Sequence, residues 1–281
     1  MTITDEVIEA IDREIAFHTP ERGGLLFGPI GRNLVSLFVP DETATTTSST
    51  YQISAEMCLR APEIEKETQL EYKGIVHCHP GTFDSPSSGD ERSAANALSE
   101  NPHLSKFFMP IVTKQLLQNA SSHENATFHG KISGYSAYRE RKNSSSRPVV
   151  VRHEDIRVVP IKGHLREFSK KISSKFGIKA DLLEDSSVVF QEDVFQIAYV
   201  IASENFDLII LTGEDYPHFS PHVLFTEKSQ PTKTALLKWD ICAPPAQRLI
   251  EAGLLALEEI FNLKEKSLIN ENLCPTTTIS V

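Results

Sequence analysis

Two histidines one residue apart are the first side chains in this sequence that could do chemistry together. His77 and His79 stand at the end of the apolar run Tyr72–His77, and residues two apart in a strand point to the same face of a sheet. Asp90 follows after a loop, residues 80–89, that is rich in Gly, Pro, Ser and Thr. Two imidazoles and one carboxylate leave a tetrahedral zinc ion with one open position, as in catalytic rather than structural zinc sites.

A hydrolytic zinc site also needs a group that transfers protons, and Glu21 is the candidate. It lies between Pro20 and the Gly23-Gly24 pair, at the start of a predicted strand. A carboxylate at that position could hydrogen-bond a water molecule and carry its proton to a leaving group. Glu21 is therefore predicted to be the general acid/base.

Each of these residues also has an interpretation that involves no metal. Ser87-x-x-Asp90 fits a capping box at the start of the following helix, so both side chains could serve only the helix amides. His77 and His79 could end a strand without binding metal, and Glu21 could be a surface carboxylate. The complete set, in this order and spacing, favours the zinc site.

The complete set resembles the motif of the JAMM (JAB1/MPN/Mov34) zinc metalloproteases. In chain order its members are Glu21, His77, His79, Pro80, Ser87 and Asp90. The Glu-x-Gly-Gly-x-Leu-x-Gly run from Glu21 to Gly28 is also similar to the glutamate-bearing strand of that family. The resemblance covers roughly Met1 to Tyr138.

The resemblance assigns a role to each residue. It implies that His77, His79 and Asp90 bind Zn²⁺, that Glu21 is the general acid/base, and that Ser87 steadies the tetrahedral oxyanion. It further implies an α+β fold in which helices flank a mixed, cytidine-deaminase-like sheet. The implied activity is that of a bacterial, deubiquitinase-like isopeptidase, which cleaves after the C-terminus of a ubiquitin-like modifier. Removal of the modifier or maturation of its precursor is expected, and antiphage defence is one setting for such a system.

Two further classes of function stay open at this point. One is a non-catalytic MPN-type scaffold that binds a ubiquitin-like protein or its conjugation partners. The other is an amidohydrolase that applies the same zinc chemistry to a small substrate. The intact Glu, His, His, Ser and Asp set favours an enzyme, because scaffold members usually lose ligands.

The elements around these residues follow from periodicity and from turn residues. A helix over Asp5–Phe17 is predicted from apolar residues on one face. The other predictions are a hairpin over Gly23–Phe27 and Asn33–Val39, a helix over Ala55–Thr68 interrupted near Pro62, a helix over Asp90–Ser99, and strands over Phe107–Thr113 and Thr127–Tyr138.

A charged and Ser-rich stretch, Arg139–Arg147, is either a linker or a polar hairpin tip. We place the boundary between two domains there, at 1–143 and 144–281. The prediction for the second domain is a smaller α+β accessory domain.

In the second domain, a helix over Lys162–Phe176, strands over Val188–Ser203 and Phe206–Leu211, and a helix over Pro245–Leu263 are predicted around the segment Tyr216–Phe225. This segment and this order of elements resemble ubiquitin-conjugating enzymes and their RWD relatives. The stretch Thr226–Lys238 contains no cysteine, so the nucleophile of that family is missing and the domain is predicted to be non-catalytic. Cys242 is expected to be a buried apolar thiol.

The amino-acid composition limits the classes of partner that we expect for this protein. Among 281 residues, 28 Lys and Arg oppose 38 Asp and Glu, for a net charge of −10, which argues against nucleic acid as a partner. No apolar run reaches the roughly 18 residues of a membrane helix, and the four cysteines are scattered without C-x-x-C spacing. We therefore expect no membrane association, a cytoplasmic protein, and partners drawn from a ubiquitin-like protein, its conjugates and cognate conjugating or activating enzymes.

Overall fold

The computed structural model describes residues 1–16, 20–47, 51–114, 121, 124–140, 149–184, 186–191, 194–227, 232–235 and 237–272. The chain divides into two compact units, Met1–Pro160 and Ile161–Val281. The domain boundary predicted at 143/144 lies outside the described residues, as does most of the Ser-rich stretch around it. No helix in the described part of the chain is long and apolar enough to cross a bilayer.

The first unit is built on short strands and three helices. Its strands are β1 (Thr2–Thr4), β2 (Gly23–Pro29), β3 (Leu34–Val35), β4 (Leu37–Pro40), β5 (Thr45–Thr46), β6 (Tyr51–Gln52), β7 (Leu70–Cys78), β8 (Lys106–Phe108), β9 (Ile111–Thr113), β10 (Glu124–Ala126), β11 (Lys131–Ser133), β12 (Tyr135–Arg139), β13 (Val149–His153) and β14 (Arg157–Val159). Its helices are α1 (Asp5–Glu14), α2 (Ala55–Thr68) and α3 (Ser88–Glu100).

A mixed sheet in the order β10-β11-β9-β7-β8-β12-β13 is the framework of this unit, and β2 and β4 join it beside β7. Strand β7 is antiparallel to β2 and parallel to both β8 and β9, which it meets at Gly74 and His77 respectively. The strand predicted over 107–113 is therefore two strands. Pro110 lies between them, where proline lacks the N–H that a continuous ladder needs.

Helices cover both faces of the sheet. The core on one face joins α1 to β7 and includes Ile11, Val76, Cys78 and Val112. The core on the other face contains residues of α3 and β9, such as Leu98 and Ile111. Because successive side chains of β7 alternate between faces, His77 points away from the face that holds Val76 and Cys78.

Helix α2 differs from its prediction in one respect. It runs without interruption from Ala55 to Thr68, with Pro62 inside it. Pro62 is exposed, so the carbonyl that loses its helical hydrogen bond lies on the solvent side, where water can replace the missing donor.

The second unit is an antiparallel sheet with two helices. Its elements are α4 (Ile161–Phe176), β15 (Ala180–Leu182), β16 (Ser187–Gln191), β17 (Val194–Ser203), β18 (Phe206–Thr212), β19 (His222–Glu227), β20 (Lys233–Ala235) and α5 (Pro245–Asn272). The sheet order is β15-β17-β18-β19-β20, with β16 also paired to β17. The strand predicted over 188–203 is thus a hairpin of β16 and β17.

Helices α4 and α5 pack closely against each other. A Cβ atom at Gly253 would lie 2.3 Å from the Phe168 ring, so only glycine permits this approach. Helix, antiparallel strands, proline segment and helix follow one another in the predicted order. The resemblance to conjugating enzymes stays a prediction.

The expectation for Cys242 was wrong, since its side chain is exposed. Cys242 lies in the surface turn before α5, where its N–H donates to Asp240 Oδ1 at 2.8 Å. The turn is held by Arg248, whose guanidinium donates to the carbonyls of Pro217, Ile241 and Ala243. The position of Cys242 is therefore set by hydrogen bonds within the turn rather than by apolar packing.

Candidate metal centre

The two histidines lie at the C-terminal end of strand β7. His77 pairs with Gly23 of β2 on one side and with Ile111 of β9 on the other. His79 lies just beyond the strand, where its N–H donates to the Val112 carbonyl at 2.9 Å. Both side chains are buried, and their positions are set by backbone pairing on both flanks.

Gly23 makes room for the tight packing around His77. A Cβ atom at this position would lie 2.6 Å from the Val76 carbonyl oxygen and 2.7 Å from the Tyr51 ring. Any larger residue would push apart β2 and β7. The short side chain therefore lets the Tyr51 ring stack on His77, with ring centroids 5.8 Å apart and planes 12° from parallel.

Asp90 enters the site from the first turn of α3. The Ser87 N–H donates to Asp90 Oδ2 at 2.6 Å, and the Asp90 N–H donates to Ser87 Oγ at 3.2 Å. This is the capping box that the sequence offered as the alternative to a metal site. The same carboxylate also faces the two imidazoles, so Asp90 can cap α3 and be a metal ligand at the same time.

Three residues bring potential ligand atoms together at the centre: two imidazole nitrogens and the two carboxylate oxygens of Asp90. His77 Nε2 lies 2.9 Å from His79 Nε2 and 3.3 Å from Asp90 Oδ1, and His79 Nε2 lies 3.6 Å from Asp90 Oδ2. Tetrahedral zinc with bonds of about 2.0 to 2.2 Å places its ligand atoms about 3.3 Å apart. The donor set and its spacing therefore fit a zinc ion. Within the described residues this is the only group of three or more His, Cys, Asp or Glu that could hold a metal.

Phe83 orients the second histidine. Its carbonyl oxygen lies 2.9 Å from His79 Nδ1, and because a carbonyl can only accept, Nδ1 carries the hydrogen and the Nε2 lone pair is left for a metal. The Phe83 ring stacks on the imidazole at 5.6 Å and 14°. Sequence reasoning missed both Phe83 and Tyr51. A backbone carbonyl has no signature in residue type, although Phe83 is the one aromatic residue in the loop 80–89.

The pKa values of Asp90 and His79 are shifted in opposite directions. Burial alone would raise the pKa of Asp90, but hydrogen bonds with His77 and His79 hold it well below its usual range. Burial alone would lower the pKa of His79, yet its contacts with Asp90 and the Phe83 carbonyl raise it. The centre is therefore anionic at Asp90 and suited to a cation.

Glu21 lies beside this centre as a buried carboxyl group, only 4% exposed. Its backbone N–H donates to the Thr47 carbonyl at 3.2 Å, just before β2 begins. Burial raises the pKa of Glu21, and the opposing effect of His77 and His79 does not cancel it. A carboxylate with a raised pKa is better matched to take up and release a proton near neutral pH.

Ser87 and Cys78 occupy different environments. Ser87 is exposed at the start of α3, and its Oγ accepts the Asp90 N–H. A hydroxyl that accepts still has its own hydrogen to donate. The sequence predicts that Cys78 faces away from the ligands, and this is confirmed, since Cys78 lies in the core on the α1 face and its sulfur accepts the Arg22 N–H at 3.2 Å.

Comparisons with known proteins found two solved structures and one family model that are similar to parts of this chain. A protein from Desulfitobacterium hafniense, solved in solution, shares 18% identity with a TM-score of 0.41 and covers 57% of this chain and 92% of its own. A JAB1/MPN domain protein from Archaeoglobus fulgidus shares 17% identity with a TM-score of 0.22 and covers 40% of this chain and 78% of its own. No curated protein matches. Residues 5–127 match the family model described as prokaryotic homologs of the JAB domain, so this part of the chain is similar to the JAB/MPN family.

Proposed function

We propose that this protein is a zinc-dependent isopeptidase or peptidase that cleaves after the C-terminus of a ubiquitin-like modifier. The observation that carries the proposal is the convergence of His77, His79 and Asp90, whose side-chain nitrogen and oxygen atoms lie 2.9 to 3.6 Å apart. The match of residues 5–127 to the family model of prokaryotic JAB homologs, a family that includes peptidases, also supports the proposal. Release of the modifier from conjugates and maturation of its precursor both need this one reaction.

The residues divide the work of amide hydrolysis. A bound Zn²⁺ would polarise the scissile carbonyl and lower the pKa of water. Glu21, buried and with a raised pKa, takes the proton from the attacking water and returns it to the departing amine. The Ser87 hydroxyl donates to the oxyanion of the tetrahedral intermediate. Asp90 is held in place by the helix cap, which fixes one side of the centre.

The proposal extends to the partners of the protein. The first unit carries the chemistry, and the second unit, an antiparallel sheet with helices α4 and α5, is a non-catalytic recognition domain. Its ligand is the modifier, a cognate conjugating or activating enzyme, or the modified target. We place this reaction in the cytoplasm, in a bacterial ubiquitin-like conjugation system such as those of antiphage defence.

The test is a cleavage assay on ubiquitin-like proteins fused through their C-terminus to a folded partner. The wild-type protein should release the modifier, and Glu21→Gln should lower turnover by roughly 100-fold or more, the usual share of general acid/base catalysis. Zinc content should stay unchanged, because the amide keeps the size of the side chain. Glu63→Gln, on the exposed side of α2, is the matched control and should cleave at the wild-type rate.

Three outcomes would contradict parts of this assignment. Wild-type turnover in Glu21→Gln would show that another group is the base. Loss of zinc from the same variant would make Glu21 a ligand or a structural support. A zinc-loaded wild-type protein that binds the fusions without cleaving any of them would favour the scaffold instead of the enzyme.

A further inference from the structure

A buried lysine lies on the same face of the sheet as the candidate metal centre. Lys131 is the first residue of β11 and is only 5% exposed. In β11 the neighbouring Ile132 pairs with Val112 and belongs to the core on the α1 face. Because side chains alternate along a strand, Lys131 points to the opposite face, the face on which His77 lies.

The lysine reaches into the loop between the metal-ligand candidates. Lys131 Nζ lies 2.7 Å from Asp84 Oδ2 and is also ion-paired with Glu124. Asp84 is the residue after Phe83, whose carbonyl accepts from His79 Nδ1. The ammonium group on β11 therefore holds the peptide segment that orients His79.

A second contact secures the next residue of the same segment. Burial raises the pKa of Tyr135 on β12, and Ser85, the residue after Asp84, lies close enough to its phenol to oppose that rise. Strands β11 and β12, which are separated in the sheet by β9, β7 and β8, thus each contact one of two consecutive loop residues. The rest of the loop is exposed at Gly81, Thr82 and Phe83, so these contacts carry much of its anchoring.

The ion pair between Lys131 and Asp84 holds the loop 80–89 in position. An ammonium group buried to this extent must be paired, because an unpaired charge is expensive to keep away from water. Removing Lys131 would leave Asp84, which is about one-third exposed, free to turn toward solvent. The Phe83 carbonyl would move with it, and His79 would lose the acceptor that keeps its Nε2 free.

We propose that Lys131 is a positioning residue for the metal centre, which acts by holding Asp84 so that the Phe83 carbonyl fixes the orientation and tautomer of His79. This inference deepens the proposed function and rests on its metal site, but it does not depend on peptidase activity. Lys131 touches neither metal nor substrate. Groups that orient metal-bound histidines typically change metal affinity by 10-fold to 100-fold when they are removed.

The test compares two buried lysines by metal binding. Lys131→Met should weaken Co²⁺ and Zn²⁺ binding by roughly 10-fold or more and change the visible absorption of the Co²⁺-loaded protein. Lys73→Met is the matched control, because Lys73 is equally buried, is ion-paired to Glu71 on the ligand-bearing strand β7, and donates to the Arg32 carbonyl. It should lower the melting temperature while leaving the metal Kd and the Co²⁺ spectrum unchanged.

Asp84→Asn keeps the proposal testable if Lys131→Met folds poorly. It should weaken Co²⁺ binding to a similar extent, and the double variant should be no worse than Lys131→Met alone, because both changes remove the same Lys131–Asp84 ion pair. Wild-type Co²⁺ affinity and spectrum in Asp84→Asn would overturn the inference. If the wild-type protein itself bound neither Co²⁺ nor Zn²⁺, the proposed function would fail as well.

Discussion

The two units of this protein differ in where they bury ionisable side chains. Among the described residues, the buried charged and imidazole side chains of the first unit are Asp12, Glu21, Asp41, Lys73, His77, His79 and Lys131, and those of the second unit are Lys162 and Glu227. Burying such groups is unfavourable unless they are paired or bind a metal. A unit that holds many of them is therefore less stable than its apolar core alone would make it, and in the first unit three of them, Glu21, His77 and His79, lie at one centre.

Topology explains the difference. In the first unit β7 is parallel to both β8 and β9. The C-terminal ends of these strands therefore point in the same direction, and the segments that follow them can meet there. The second unit is antiparallel throughout, and its strand β18 alternates strictly between buried and partly buried residues. The comparison teaches that sheet connectivity, more than the content of ionisable residue types, decides where buried ionisable side chains come together.

The largest expected effect is on metal content. Changing both His77 and His79 to Ala should abolish zinc binding, because two of three ligand atoms disappear. The matched control is His218→Ala with His222→Ala, two exposed histidines of the second unit, which should leave about one zinc per chain. Metal analysis after purification checks both. A stoichiometry that stays near one zinc per chain in the His77/His79 variant would contradict the assignment of these residues as ligands.

Ser87→Ala should reduce turnover by about 100-fold through the lost oxyanion donor. It should also cost about 1 kcal/mol of stability, because the cap of α3 is lost. Ser54→Ala removes the corresponding cap of α2, where Ser54 Oγ accepts the Met57 N–H, and should lower stability without changing turnover. Steady-state kinetics and thermal melts separate the two effects, and equal turnover in the two variants would contradict a role of Ser87 in the reaction.

Separate fragments test whether each unit folds and binds zinc without the other. Residues 1–160 should fold and bind zinc, and residues 161–281 should bind none. A shorter fragment, 1–143, lacks β13 and β14, which pair with β12 and β1, and should lose several kcal/mol of stability on the scale of cross-strand pairs. Chemical denaturation with metal analysis tests this. Equal stability of the two N-terminal fragments would show that these strands are dispensable.

The smallest effect concerns acid stability of the first unit. Burial alone would raise the pKa of Glu154, but hydrogen bonds from Lys106, the Met1 amine and Tyr138 lower it to about 2. A carboxyl group with a lowered folded-state pKa stabilises the fold above its unfolded pKa, near 4.5, and loses that contribution as pH falls toward 2. Glu154→Gln should therefore cost on the order of 2 kcal/mol at pH 7 and progressively less below pH 4.5.

The measurement for Glu154→Gln is the free energy of unfolding as a function of pH. Glu63→Gln, an exposed change on α2, should follow the wild-type curve throughout. A difference between Glu154→Gln and wild type that stayed constant down to pH 2 would mean that the side chain acts by packing rather than by charge.

The helices that flank the sheet could be predicted from sequence to within a few residues. The apolar face of α1 and the serine cap of α3 are local patterns, and both helices begin close to where those patterns begin. Strand ends were harder to predict, since Pro110 splits one predicted strand and a hairpin splits another. A strand is defined by its partner, which lies elsewhere in the chain, so periodicity alone cannot place its ends.

The sequence by itself determined the residue types and the spacing of Glu21, His77, His79, Ser87 and Asp90, and the alternation that aims both imidazoles at one face. Only the tertiary structure decided that the Asp90 carboxylate faces the rings from inside a helix cap, that the Phe83 carbonyl holds His79, and that Lys131 holds Asp84. Lys131 is 47 residues from Asp84 in the chain. Contacts over such separations arise from the order of strands in the sheet, which no local pattern of residues encodes.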